Sequence, residues 1–399
     1  MNKLSISKNT RISITDAAWF VALLMYYSLS NTFRLNHYAA TLLIFSMTVL
    51  SKNSKLNLGK KYRGIMIFFS LFSAWMILSF IWSSGFTEGQ KTIIISLIEI
   101  IIMLVCMIDY IRDKDKLVQL ILIFVYATFT FEIIYYLFSP VNTWGTTQMG
   151  IRLAVWRNAA GYYFSFAAIF ALYVYYAIKK EKKLFIMGIL LIIGAVGTGS
   201  RKVFVQLALA VLIFIILQKD LGKKIKFACG IILFFILAIG IGIQIPAIQE
   251  LYAGRLLTVL GGINSTDAST VTRALMRRYA LELFAQHPII GAGLDQFRVW
   301  IGYNTNFLED FAITATYSHC NYTELLANNG IIGFLLYYLF PVKKIWKRRK
   351  KIDQPIMKLG MITTVVFIIL DYGTISYYMR FYAFIFFIGL IALDTQEKT

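Results

Sequence analysis

Long apolar blocks alternate with short polar clusters along the chain, and the blocks have the length of membrane helices rather than of strands. Each runs for roughly 16 to 22 residues, where a helix needs about 20 to cross the hydrocarbon core and a barrel strand only about 10. The pattern predicts helices over 14–32, 36–51, 64–83, 92–110, 117–138, 158–178, 184–198, 203–218, 226–245, 322–342, 356–372 and 378–393. The expected fold is an all-α integral membrane protein with about 12 transmembrane helices, in one polytopic domain over 1–399. One polar stretch is far longer than the rest: 246–321, a long extracytoplasmic loop between expected helices 9 and 10. Inside it, Val271, Leu275, Tyr279 and Leu283 repeat at four-residue spacing, with Arg273 and Arg277 on another stripe. That is an amphipathic helix, stopped by His287, Pro288, Gly291 and Gly293, and it would lie over the bundle as a lid.

Composition agrees with this pattern and adds a direction. Hydrophobic residues make up 58% of the 399, and the mean hydropathy is +0.67, well outside the range of soluble domains. The net charge of +20 does not point to nucleic acid, because the basic residues sit in clusters between apolar blocks instead of on one soluble face. With the N-terminus cytoplasmic, 28 of the 40 basic residues fall on the inner side, as the positive-inside rule requires. Lys3, Lys8 and Arg11 precede the first block without a small-residue cleavage site, so that block reads as a retained helix. Cys106, Cys229 and Cys320 lie on separate segments with no metal or disulfide spacing.

The outer 12 basic residues are Arg34, Lys91, Arg152, Arg157, Arg201, Lys202, Arg255, Arg273, Arg277, Arg278, Arg298 and Arg380. Ten are arginine, whereas the inner set is mostly lysine. Arginine grips phosphate oxygens bidentately, which lysine cannot. The competing explanation is pairing with Glu250, Asp267, Glu282, Asp295, Glu309 or Asp310. Arg201, in Gly197-Thr-Gly-Ser-Arg-Lys202, separates two apolar runs too short to cross comfortably, which places it below the outer surface in a protein-lined pocket. Arg152, Trp156, Arg157 and Asn158 form a second outer polar cluster. Glu99 and Glu132 are intramembrane acids expected to pair inside the bundle.

His319 is one of three histidines and lies in the stretch Ser318 to Gly333 at the end of the long loop. A straight helix from His319 to Trp346 would span about 42 Å, which puts His319 at or just above the outer interface. A neutral imidazole there can take a proton from a hydroxyl. Arginines beside it can hold a lipid-linked pyrophosphate and stabilise charge on that leaving group. A lone histidine can equally be structural, a role that suits His37 at a helix end and His287 before Pro288. No Asp-x-Asp or His-rich cluster marks a metal site on the outer side, so metal-independent catalysis without a cofactor is expected. No glycine motif follows a strand and no Walker-type lysine is present, which argues against a nucleotide loop.

His319-Cys-Asn-Tyr-Thr-Glu-Leu-Leu-Ala-Asn-Asn-Gly-Ile-Ile-Gly resembles the signature closing the large outer loop of the O-antigen ligase and polysaccharide repeat-unit polymerase superfamily. Arg273, the His287-Pro-Ile-Ile-Gly-Ala-Gly293 run and Gly199-Ser-Arg201 resemble its other motifs, in the same order, over roughly residues 150 to 340. The resemblance implies a metal-independent, inverting C-type membrane glycosyltransferase acting on undecaprenyl-pyrophosphate-linked glycans. It implies His319 as the base and Arg201 and Arg273 as pyrophosphate ligands; Arg152, Arg157, Asn158, Arg277 and Asn321, polar residues of the outer side, are further candidate substrate contacts. Cys320 stands where asparagine is common and Arg277 where tryptophan is, departures that bear on acceptor fit. The Glu324 to Gly333 version leans by resemblance to a polymerase of capsular or O-antigen-like polysaccharide, ahead of a ligase to lipid A core or protein. Expected partners are the lipid-linked oligosaccharide, the bilayer of the bacterial cytoplasmic membrane and other polysaccharide assembly proteins, with both termini cytoplasmic. A lipid-linked oligosaccharide transporter is the alternative from another class. It would favour inverted repeats, broken helices and mid-depth charges, yet no repeat is evident and the charges gather on the outer side.

Overall fold

The computed structural model describes residues 13–28, 36–50, 60–146, 148–153, 155–220, 222, 224, 268–303, 316–350, 352 and 354–395. Within them the chain forms α-helices and short 3-10 turns and no strand. In chain order the helices are α1 (Ile14–Ser28), α2 (Asn36–Leu50), α3 (Arg63–Leu78), α4 (Glu88–Tyr110), α5 (Lys114–Phe138), α6 (Arg157–Ala177), α7 (Lys182–Gly197) and α8 (Arg201–Ile216). They continue with α9 (Ala268–Gln286), α10 (Gln296–Gly302), α11 (Asn321–Arg348), α12 (Pro355–Leu370) and α13 (Arg380–Leu393). Polar residues set the ends that apolar periodicity leaves vague. Thr87 and Gln90 form a reciprocal capping box that starts α4 four residues before the expected 92. The Asp113 carboxylate accepts from the Lys116 N–H at 2.8 Å and starts α5.

Among the described residues six segments are long and apolar enough to cross a membrane: Arg63–Trp82, Glu88–Tyr110, Lys114–Phe138, Arg157–Ala177, Asn321–Arg348 and Pro355–Gly373. Ile14–Tyr27, His37–Leu50 and Arg380–Leu393 are shorter apolar helices, and α7 and α8 have 16 residues each. The expected ninth helix, 226–245, and the loop portions 246–267 and 304–315 lie outside the described residues, as do Arg34, Cys229, Glu250, Arg255, Asp267, Glu309 and Asp310.

The helix α13 is the axis of the bundle. Every residue from Phe381 to Leu393 is buried, and a helix apolar all round belongs in the interior. Its contact with α12 is close because small residues meet: a methyl group on Gly389 would lie 2.6 Å from the Thr364 hydroxyl, and one on Gly360 2.8 Å from the Gly389 carbonyl. Phe381 and Phe384 stack on Phe124 of α5 at 5.4 and 5.7 Å. At the start of α13, Arg380 is paired with Glu99 of α4, whose other oxygen lies 3.0 Å from His37 Nδ1. Glu99 therefore pairs inside the bundle as expected. Glu132 does not: it is buried against Gly194, and its Oε1 has no hydrogen-bond partner among the described residues. Glycine at 194 leaves the space that this carboxyl fills, since a Cβ there would overlap it at 1.5 Å.

Candidate functional site

The site is organised by a break in α11. Gly330 has φ 63° and ψ −168°, outside the helical region, so the helix is two pieces meeting at Asn329-Gly330. In a regular helix the carbonyls of Ala327 and Asn328 would receive the N–H groups of Ile331 and Ile332. Here those carbonyls accept from Ala292 and Gly293 at 2.9 and 2.8 Å, and Ile331 and Ile332 donate to Pro288 and Ile289 at 2.9 and 3.3 Å. The His287 to Gly293 strap thus satisfies both sides of the break. It can approach only because a Cβ on Gly330 would lie 2.2 Å from the Ile289 carbonyl oxygen, and one on Gly291 2.3 Å from the Asn328 carbonyl. The asparagines lock the junction: Asn328 Oδ1 accepts from the Phe297 N–H at 2.7 Å, and Asn329 Nδ2 donates to Ser79 Oγ at 3.0 Å. An unbroken rod of about 42 Å is therefore not what carries His319. The 18 residues from Ile331 to Arg348 rise about 27 Å, and His319 heads the separate short arm Asn321–Asn329.

Broken helices also occur in transporters, where open half-helix ends bind the cargo. At this break the strap occupies the carbonyls of Ala327 and Asn328 and the N–H groups of Ile331 and Ile332.

His319 sits in the turn before that arm with φ 58°, a left-handed conformation uncommon for a residue with a side chain. Glu324, buried in the first turn of α11, reaches back to accept from the Ser318 N–H at 2.6 Å. Ser318 Oγ bonds the Cys320 carbonyl at 3.0 Å. The imidazole packs against the Tyr317 ring at 4.3 Å between centroids. Burial, then the charges of Arg273, Lys202 and Arg277, push its pKa from 6.5 down to about 3. The ring is neutral at physiological pH, so its lone pair is open to a proton.

The lid helix is α9, turned by one residue from the expected stripe. Thr272, Met276, Ala280 and Leu283 face inward, while Val271, Leu275 and Tyr279 are half-buried on the flank. Side chains on a helix lean toward its N-terminus, so a surface patch is covered from about one position further along. Met276, Ala280 and Leu283 join Phe297, Ile301 and Ala327 in a small core separate from the main bundle. Burying Met276 and Leu283 contributes about 1.5–3 kcal/mol each. This register puts Arg273 and Arg277 at the edge of the buried face, toward His319.

A turn outside the resembling region forms another wall. Asn321 donates to Tyr338 Oη at 2.8 Å and to Asp371 at 3.3 Å, and its carbonyl accepts from the Ser376 N–H at 2.9 Å. The Tyr372 ring lies 4.8 Å from the Arg277 guanidinium, and Thr374 Oγ1 accepts from Lys202 Nζ at 2.9 Å.

The structure thus brings His319, Arg273 and Arg277 together and adds Lys202. Arg201, half-buried at the start of α8, donates to Thr270 at 3.3 Å and so touches the head of the lid helix. Arg157 donates to the Gly145 carbonyl, against which the Gly199 turn is packed. Arg152 is exposed on the one-turn helix Ile151–Leu153 and Asn158 is half-buried on α6. Asn321 is fully buried with its amide committed to Tyr338, Asp371, Ser376 and Tyr377, a placement that holds the His319 turn and offers a substrate no edge. Pairing with acids accounts for Arg278 with Glu282 (3.2 Å), Arg298 with Asp295 (3.1 Å) and Arg380 with Glu99. Among the described residues no three His, Cys, Asp or Glu side chains cluster as a metal site would require.

A bundle of helices long and apolar enough to cross a membrane, one of them broken and strapped, fits a multi-pass membrane protein. Residues 185–338 match the O-antigen ligase family model, from α7 through the lid, the strap and most of α11. The match supports the O-antigen ligase and polymerase superfamily, whose activity is glycan transfer. No curated protein matches the chain.

Proposed function

We propose that the protein transfers a growing glycan from undecaprenyl pyrophosphate to a hydroxyl of a lipid-linked repeat unit, as a repeat-unit polymerase on the outer face of the bacterial cytoplasmic membrane. The observation that carries this is a neutral imidazole, His319, in a left-handed turn among cations on α8 and α9. In this mechanism His319 takes the acceptor hydroxyl's proton as that oxygen attacks the anomeric carbon. The bond from that carbon to the pyrophosphate oxygen breaks, with inversion, and Arg201 and Arg273 hold the departing charge. Both substrates arrive by lipid, which suits a site beside apolar helices. Metal plays no part in this scheme, so activity that disappears on thorough chelation and returns with a divalent ion would overturn that component.

A ligase delivering finished glycan to lipid A core or protein uses the same chemistry on a different acceptor. Incubating the purified protein with a lipid-linked repeat unit separates the two, because a polymerase yields a ladder on a gel and a ligase a single shifted acceptor band. A transporter would still move lipid-linked repeats after His319→Ala, with no product formed by either protein.

A further inference from the structure

Lys202 follows the arginine of the Gly-Ser-Arg motif and is near enough for its charge to act on His319. It has three N–H donors, and among the described residues Thr374 Oγ1 is its one hydrogen-bond acceptor, at 2.9 Å. Burial disfavours its charged form, Arg273 repels that charge and Asp371 attracts it, and the end of its stem lies beside Gly373 in the turn that follows α12. That turn, Asp371 to Ser376, is outside the 185–338 match. It nonetheless ties the site together, through Tyr372 against Arg277, Thr374 on Lys202, and Asp371 and Ser376 on Asn321. Bringing like charges into a half-buried space costs energy that an anion between them turns into attraction.

Building on the proposed pyrophosphate donor, we infer that Lys202 is a further ligand of the donor's pyrophosphate and that Thr374 is the positioning residue that aims it. Arginines supply forks of fixed geometry, whereas a lysine supplies a point charge that can follow an oxygen as the glycosidic bond lengthens. Thr374 takes one of its donors and leaves two for phosphate oxygens.

The test uses the full-length protein in detergent, with undecaprenyl pyrophosphate bearing no sugar as the binding probe and the lipid-linked repeat unit as substrate. In the wild type the probe raises the unfolding temperature; in Lys202→Gln that rise shrinks, and KM for the donor increases about 10- to 100-fold, the size expected for one charge-assisted contact. Lys202→Arg recovers part of both, Thr374→Val shows a weaker version, and Thr374→Ser restores the wild-type values. A purely structural lysine would lower the unfolding temperature without the probe and leave KM and the probe's shift unchanged, and that result overturns the inference alone. No shift in the wild type overturns the pyrophosphate reading and takes this inference with it. If Lys202→Gln does not accumulate, the Thr374 pair decides by the same two readouts.

Discussion

Two histidines in this protein stand near arginine, and their surroundings are opposites. His37 lies 3.0 Å from Glu99, which also holds Arg380, so the cluster between α2, α4 and α13 cancels its own charge. His319 has a tyrosine ring beside it, and among the described residues the charges that act on it are those of Arg273, Lys202 and Arg277. Charge in a membrane interior is tolerated when paired, and a paired cluster has little left to offer a ligand. A neighbourhood of cations around a neutral base is instead suited to a ligand that brings negative charge with it.

The largest effect should separate the two histidines directly. His319→Ala is expected to lower glycan transfer by about 10²- to 10⁴-fold, the usual share of a positioned base, with little change in the amount of folded protein. His37→Ala should cost less than about tenfold in rate, because Glu99 keeps Arg380 as a partner. Transfer assays on purified variants check both, and equal losses at the two positions would erase the distinction. Next in size, Glu99→Gln leaves the half-buried Arg380 against a neutral amide. Breaking such a pair costs about 3–5 kcal/mol, to be read as a lower unfolding temperature. The same change at a ligand-binding cluster would act on KM, so a Glu99→Gln protein of full stability and raised KM would make the two clusters alike.

Much of this contrast was legible in the residues. Among the described residues the helices fall where the apolar blocks put them, the expected 226–245 lying outside, and His319, Arg273 and Arg277 stand out in the sequence by residue type and order. What stayed hidden was carried by tertiary contacts. Asn328, Asn329 and Gly330 read as the start of a continuous helix, because a glycine inside an apolar helical pattern does not announce a break without the strap that satisfies it. The only local hint was the second glycine-rich run, Gly291 to Gly293, some forty residues earlier in sequence. Glu324 carries a signal of its own in the sequence, an acid in the first turn of a membrane helix, and it accepts from the Ser318 N–H just before that turn. In sequence Lys202 is one basic residue among the outer set, and nothing there links it to Thr374, 172 positions away. Glu132 shows the reverse failure, an acid expected to find a partner and found buried beside a glycine.

The finest test of the comparison is the pH dependence at His319. Facing it are Arg273 and Arg277 from α9 and Lys202 from α8, with Tyr317 against the ring and the carboxylates of Glu324 and Asp371 turned to Ser318 and to Asn321 and Tyr338. Burial and these cations take its pKa from 6.5 to about 3, so the protonated form is disfavoured in the folded protein. The sign for stability follows: this site contributes fully above pH 6.5, and its contribution falls as pH drops from 6.5 toward 3. For activity, the acid limb of kcat/KM, which reports the free enzyme, should lie well below the ordinary histidine range. The acid limb of kcat should lie higher, because a bound pyrophosphate offsets the cations and lets the imidazole take a proton more readily. Arg277→Gln removes one of the three charges while leaving Arg201 and Arg273 in place, so its kcat/KM limb should move up in pH relative to the wild type, by less than the difference between the wild-type limbs. Measured profiles in which Arg277→Gln shifts the limb down, or in which the kcat limb lies below that of kcat/KM, would mean that His319 is not held neutral by the cations around it, and the contrast with His37 would lose its electrostatic basis.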